Sequence, residues 1–516
     1  MISLKSFITD QWYSGQDKPT QLFNPATETV IAVTDTSGID TKAVFDHARN
    51  IGGPTLRSMS FAERGALLKA MSRALYAERE RLIDVSCICN GATRKDSKFD
   101  IDGATGTLSY YAKLGTELGD GTILTDGESE RLTANARFVG QHVFLPRPGV
   151  AIHINAFNFP AWGTFEKIAC AFLAGMPVVT KPATATALLT YEMIKIIVDA
   201  EILPAGVLQF IAGSARDLLD YADGQDVIAF TGSADTAHTL RQNTSVTLNS
   251  ARFNAEADSL NAAILGPDVE VGDDIWYTYI KNIVTDMTQK AGQKCTAIRR
   301  IIAPETIADE LQAALVEELS RITVGNPAHD GIRMGPLASA AQLRDVRAGI
   351  DELAAHSSTL TGGSAPIAAE GVPDGKGYFV APTLLRANDG ADDIFHSKEV
   401  FGPCATILTY DGSAAQAVML MAKGKGCLVS SVYSNHKKWI SEALLQSAVW
   451  TGRLQLVSAK VADSALPPGM VLPNQLHGGP GRAGGGEELG GMRGLHHYWN
   501  RTCIQGDTAL LGKLLK

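Results

Sequence analysis

Between residues 150 and 230, short apolar runs alternate with longer helical stretches, and this alternation constrains the fold more than any other feature of the chain. The runs 150–154, 176–180, 207–211 and 227–230 carry almost no charge and are rich in β-branched residues. Runs of this kind mark strands covered on both faces, not strands with one wet side. The stretches 161–173 and 188–200, and a shorter one over 215–221, separate them with helical spacing. The pattern predicts βαβ units and a parallel sheet. In such sheets ligands gather outside the carboxyl ends of the strands. Those ends hold Asn155 to Asn158, Lys181 to Thr184, Gly213-Ser214 and Thr231-Gly232-Ser233.

A chain of 516 residues exceeds one hydrophobic core, so two or three domains are expected. A second α/β block spans about 260–457. The net formal charge of -9 argues against nucleic acid as a partner. No apolar run has the length of a membrane span, and the first residues lack the apolar core of a secretory signal. Seven scattered cysteines fit a reducing cytoplasm better than a disulfide framework. Cys87 and Cys89 have no second Cys/His pair at zinc spacing, so no metal is expected.

Residues 1–30 read as short strands with turns. A helix opens at Phe61 behind Ser60, with Leu67, Leu68, Met71 and Leu75 on its inner face. Lys69 and Arg73 lie on another face, which reads as solvated. Helical spacing returns over 102–111, a polar interruption covers 117–135, and 138–145 reads as a strand leaving the main body. Residues 458–473 read as a loop. Further on, Gly479-x-Gly481-x-x-Gly484 matches the dinucleotide fingerprint by letter. That fingerprint needs a preceding strand, a following helix and a further βαβ unit, and too little chain remains for them. A flexible closing loop is the better expectation there.

Cys295 stands in Gly292-Gln293-Lys294-Cys295-Thr296. A thiol attacks as its thiolate, and Lys290, Lys294, Arg299 and Arg300 would favour that form if they face it. A lone cysteine is otherwise most often inert and buried. By itself Glu256 reads as a surface carboxylate and Asn158 as a turn or cap residue.

Their order is more specific. Asn158-Phe159-Pro160, Lys181-Pro182-Ala183, Phe230-Thr231-Gly232-Ser233, Glu256, Gly292-Gln293-Lys294-Cys295 and Glu399-Val400-Phe401-Gly402-Pro403 follow one another. Across essentially the whole chain this order resembles the aldehyde dehydrogenase superfamily. The stretches 153–167, 181–187, 256–261 and 477–491 are similar to its coenzyme A-linked semialdehyde dehydrogenases of aerobic aromatic degradation. Those at 109–115 and 321–327 resemble the benzoyl-CoA branch more than the phenylacetate branch.

The resemblance implies an α/β aldehyde dehydrogenase fold. A Rossmann-like cofactor domain would cover 1–118 and 146–255, and an α/β catalytic domain 256–457. A small β oligomerisation arm would cover 119–145 and 474–516. Cys295 would attack the aldehyde carbon. Its backbone N–H and the Asn158 side chain would hold the oxyanion, each donor worth about 3 kcal/mol of barrier. Glu256 would activate the water that hydrolyses the resulting thioester to a free acid.

Lys181, Glu399, Ile154 and Phe401 would line the cofactor, with Gly232 and Ser233 opening a helix toward its pyrophosphate. Thr184 stands where NAD-preferring members commonly carry a Glu that would repel a 2′-phosphate, so NADP is favoured over NAD. Ala237 replaces a glycine usual for the family. The implied substrate is a small CoA-linked aldehyde, 3,4-dehydroadipyl-CoA semialdehyde ahead of 3-oxo-5,6-dehydrosuberyl-CoA semialdehyde. The rival expectations are a general aliphatic aldehyde dehydrogenase and a non-catalytic protein on this fold. The resemblance also implies a cytoplasmic homodimer or larger homo-oligomer.

Overall fold

The computed structural model describes residues 2–215 and 217–515. Two seven-stranded sheets organise the chain. The first runs Arg252–Glu256, Val227–Thr231, Ala151–Ile154, Val178–Lys181, Leu208–Phe210, Ser6–Ile8, Gln11–Tyr13. Its first five strands are parallel, and the two N-terminal ones add as an antiparallel hairpin. From Ala151–Ile154 the chain winds outward through Val178–Lys181 and Leu208–Phe210. It then returns to Val227–Thr231 on the other side. The reversal leaves a crevice beyond the carboxyl ends of Ala151–Ile154 and Val227–Thr231, the usual ligand position of an open α/β sheet.

The second sheet runs Ser357–Thr361, Thr383–Ala387, Cys404–Tyr410, Ile298–Pro304, Asn261–Leu265, Cys427–Tyr433, Thr451–Val457. All pairs but the first are parallel. Asn261–Leu265, Ile298–Pro304 and Cys427–Tyr433 are buried along their whole length, as strands covered on both faces must be. Glu256 ends the edge strand of the first sheet and Asn261 opens a central strand of the second. The carboxyl edge of one sheet thus meets the amino edge of the other across a few residues.

The helix Phe61–Ala77 has the expected Ser60 cap. Ser60 Oγ accepts from Glu63 N at 3.2 Å and the Glu63 carboxylate accepts from Ser60 N at 2.7 Å, a capping box worth about 1 kcal/mol. The helical segment expected at 102–111 is the middle of a longer helix, Arg94–Leu118. Gly103, Gly106 and Gly115 weaken its local propensity, and packing against Phe61–Ala77 and Trp162–Ala174 overrides them. The polar stretch 117–135 contains the strand Leu124–Arg131, which pairs with Phe138–Pro146. Trp499–Asp507 completes that three-stranded sheet.

The glycine-rich segment is a hairpin, not the flexible loop expected. Leu476–Gly478 pairs with Glu487–Leu489, and Gly486 N and Ala257 N bond Ala255 O and Ala483 O, each at 3.1 Å. These bonds tie it to the strand that carries Glu256. Ala215 is described but lies outside any helix, and only Leu218–Tyr221 of the expected 215–221 helix forms; residue 216 lies outside the described residues.

Candidate active site

Cys295 is delivered by a strained turn. After the helix Asp274–Thr288, Lys290, Ala291 and Gly292 take φ of 52°, 53° and 68°. Two side-chain-bearing residues in the left-handed region cost roughly 1–2 kcal/mol each. Strain of this kind collects at functional sites and persists only where the surroundings enforce it. Here they do: Lys290 N donates to Asp96 Oδ2 (3.1 Å), Gln293 Nε2 to Lys290 O (3.0 Å), and Ala338 N to Gln293 Oε1 (3.0 Å). Asn261 Nδ2 then clamps Cys295 O and Ala297 O, both at 2.8 Å.

The cations flanking Cys295 do not face its thiol, so the condition on which they would favour the thiolate is not met. Lys290 pairs with buried Asp100 (3.4 Å) and Lys294 with buried Asp286 (2.8 Å). Arg299 donates to the Gly402 and Gly292 carbonyls, and Arg300 to those of Leu260, Leu420 and Met421. Alternation along the backbone and buried partners draw these cations into the fold. Burial, then the Glu256 charge, push the half-buried thiol well above its ordinary value.

The group near the thiol that the sequence reading did not single out is His477. Its Nε2 lies 4.0 Å from Cys295 Sγ and 2.9 Å from Glu256 Oε2. Burial would raise the Glu256 carboxyl, but the His477 charge and hydrogen bond, with Lys167 behind them, hold it down to about 2. Burial lowers His477, and Glu256 outweighs it, so the imidazole sits above its ordinary value. Behind this pair Lys167 bridges Glu166 (3.5 Å) and Glu488 (3.3 Å) in a buried cluster. Burial raises Glu166 to about 7. His477 was invisible in sequence because it sits in a glycine run, far from any residue of like chemistry. Among the described residues Glu256, Cys295 and His477 also offer ligand atoms within 4.8 Å of one another, a set gathered from distant positions that cysteine spacing could not reveal.

Asn158 is buried in the turn after Ala151–Ile154. Its Nδ2 donates to Gln293 O at 3.1 Å, which leaves a second N–H on the same nitrogen. Asn158, Glu256 and Cys295 line both a cleft of about 540 Å³ and a narrow channel of about 50 Å³. The three therefore meet where the two spaces join.

The cleft is bordered by Gly232, Ser233, Glu399 and Phe401. Ser233 caps the helix Ala234–Arg241, and Asp258 Oδ1 accepts from Ala234 N at 2.9 Å at the same end. Glu399 Oε2 accepts from Ser259 N (3.2 Å), while its buried Oε1 lies 3.9 Å from Arg299 Nε and has no hydrogen-bond partner among the described residues. Burial raises Glu399 to about 7, against the pull of Arg299. Phe401 meets Phe157 edge-on, centroids 5.8 Å apart. Ile154 and Lys181 pair in register at the strand ends, Ile154 packing toward Phe230 and Ala237. Lys181 Nζ donates to Pro182 O (3.1 Å), and burial lowers its ammonium. Thr184 opens the short turn Thr184–Thr186 just beyond, next to Ala183 of the cleft wall. An orphaned carboxylate oxygen, a capped helix start and an aromatic wall fit a dinucleotide.

The aldehyde dehydrogenase family model matches residues 12–502, and the chain belongs to that family, whose members are NAD(P)-dependent oxidoreductases. Within it, the chain is 41% identical over 480 residues to 3,4-dehydroadipyl-CoA semialdehyde dehydrogenase of Aromatoleum evansii, covering 93% of each. The fold is that of solved aldehyde dehydrogenases. Betaine aldehyde dehydrogenase from Staphylococcus aureus in complex with NAD+ superposes with a TM-score of 0.85 at 22% identity, over 98% of this chain and 95% of that one. A 3,6-anhydro-L-galactose dehydrogenase in complex with NADP gives 0.85 at 20% identity, over 98% and 100%.

Proposed function

We propose that the chain oxidises a coenzyme A-bound semialdehyde to its carboxylic acid, with 3,4-dehydroadipyl-CoA semialdehyde as the favoured substrate and NADP as the favoured cofactor. The reading is carried by the meeting of Cys295, Glu256 and Asn158 at the junction of a dinucleotide-sized cleft and a narrow channel. The identity to the A. evansii enzyme supports the acyl chain. The absence of a carboxylate at Thr184 supports NADP.

In this reading Cys295 Sγ adds to the aldehyde carbon, and its proton passes to the Glu256–His477 pair. The second Asn158 N–H and the Cys295 N–H hold the oxyanion. The bound nicotinamide supplies the hydride acceptor. Once the pair has passed the thiol proton to solvent, water attacking the thioester left on Cys295 gives a proton to Glu256, which hands it to the departing sulfur, releasing the acid and restoring the thiol. Among the described residues no helix is long and apolar enough to cross a membrane. The seven free thiols support a cytoplasmic setting.

Cys295→Ala is expected to abolish NADPH formation while NADP still quenches protein fluorescence; residual turnover by this variant sinks the assignment. Initial rates with each cofactor test the second choice, and a higher kcat/KM with NAD overturns it. Comparing a CoA semialdehyde with a free aldehyde of like length separates this reading from a general aliphatic aldehyde dehydrogenase.

A further inference from the structure

The channel leaving Cys295 passes Phe99, Trp162 and Val471, and these same residues line a second cavity of about 480 Å³. The cavity wall is apolar, with Met470, Leu472 and Pro473 along one side. Two residues of its wall, Trp162 and Thr107, carry polar atoms, Nε1 and Oγ1, that are buried away from the open space and have no hydrogen-bond partner among the described residues. Trp162 is 7% exposed and Thr107 1%, so bulk water does not satisfy either.

Charge at the cavity is one-sided. Lys95 and Lys98 lie on its rim, both exposed, and among the described residues neither has an ion-pair partner. The carboxylates nearby are engaged elsewhere. Arg79 holds Asp102 through two hydrogen bonds (2.6 and 2.9 Å), and Arg94 takes Asp84 and Glu80. In a chain of net charge -9 this is an unneutralised cationic edge on a cavity that shares Phe99, Trp162 and Val471 with the channel at Cys295.

We propose that this cavity is the coenzyme A subsite. The pantetheine chain lies along the apolar wall, and the phosphates rest at Lys95 and Lys98. The proposal rests on the reading of the substrate as a CoA thioester. It accounts for what the cofactor cleft does not use: an apolar cavity beside the channel at Cys295 and two unpaired cations at its rim.

The test compares the full-length enzyme with Lys95→Glu/Lys98→Glu. Both lysines are exposed and unbonded, so the fold is kept, which far-UV circular dichroism checks. The substrates are a CoA-thioester semialdehyde and a free aliphatic aldehyde of like length. KM for the thioester is expected to rise about tenfold with kcat held, while both constants for the free aldehyde stay put. Added salt should raise the thioester KM of the wild type and lower that of the charge-reversed variant, whose carboxylates repel the phosphates. Coenzyme A itself should inhibit competitively against the aldehyde and not against NADP. An unchanged thioester KM in the charge-reversed variant, or CoA competing with NADP, overturns the subsite. If the wild type shows no preference for the thioester over the free aldehyde, the substrate reading fails and the subsite with it. If that preference is present and survives charge reversal, the subsite alone fails.

Discussion

Glu256 and His477 titrate as a pair, and their signs are opposite. The raised His477 contributes stability that is complete below its ordinary value of 6.5 and is lost as pH climbs through its raised one. The depressed Glu256 contributes stability that is complete above its ordinary 4.5 and is lost only as pH falls through about 2. The pair is therefore worth most between about 4.5 and 6.5, the window those two ordinary values bound. Beside the imidazolium, Glu256 is a weak base; once the imidazole loses its proton, the carboxylate strengthens. The deacylation step should accelerate as pH rises through the raised His477 value. His477→Gln should erase that limb of the kcat profile and lower stability near pH 6 by about 1–3 kcal/mol. Glu166, raised to about 7, also titrates above the ordinary imidazole value, with Lys167, Glu488, Arg453 and Cys295 also facing the pair. Glu166→Gln is thus the control, and it should keep the limb. A limb that survives His477→Gln would assign it to another group. Glu256→Gln should keep the first burst of NADPH while cutting steady turnover by about 10²–10⁴-fold, read by stopped-flow absorbance. At this scale the motifs named Cys295, Glu256 and Asn158, and the fold brings them together. Where the flanking lysines and arginines point was not legible, because a sequence shows that a charge is near in number and not which buried carboxylate or carbonyl has already claimed it.

Among the elements, the glycine hairpin does the most for the site and was the least legible. Its strands are only three residues long, and bonds to Ala255 and Ala257 fix its place. Those partners are more than 200 positions away, as 483 minus 257 shows, so no local pattern could announce it. Two adjacent glycines separate strain from crowding there. Gly485 has φ of 71° with nothing near a would-be Cβ, whereas at Gly484, φ 102°, that atom would sit 2.3 Å from Ala255 O. Gly485→Ala should cost only the left-handed penalty, about 1 kcal/mol. Gly484→Ala must also push the hairpin off the strand that carries Glu256, so both its melting temperature and its kcat should fall well below those of Gly485→Ala. Equal behaviour of the two in calorimetry and turnover would show that this contact does not position the base. The parallel strands, by contrast, were legible because burial on both faces writes unbroken apolar runs. The strand Leu124–Arg131 was not, since nearly every residue of it is exposed and its pairing partner supplies the order.

At the scale of the whole molecule, one sheet has no core of its own to complete. The strands Leu124–Arg131, Phe138–Pro146 and Trp499–Asp507 end in the helix Thr508–Leu514. That helix turns Leu511 inward and leaves Leu510 54% and Leu514 65% exposed, four positions apart on one stripe. Phe138, at the start of the central strand, is 40% exposed. An apolar stripe beside a sheet with two open edges suits a second copy of the same chain, because a two-fold pairing covers like with like. The wild type should therefore run as a dimer or larger in light scattering, and Leu510→Glu/Leu514→Glu should shift it to a smaller species. Cys295, Glu256, Asn158 and His477 all come from one chain, so the smaller species should keep its turnover. An unchanged mass in the double variant would move the interface off this helix. Activity that vanished with the larger species would mean that the second copy completes the site, which the single-chain convergence of those four residues argues against.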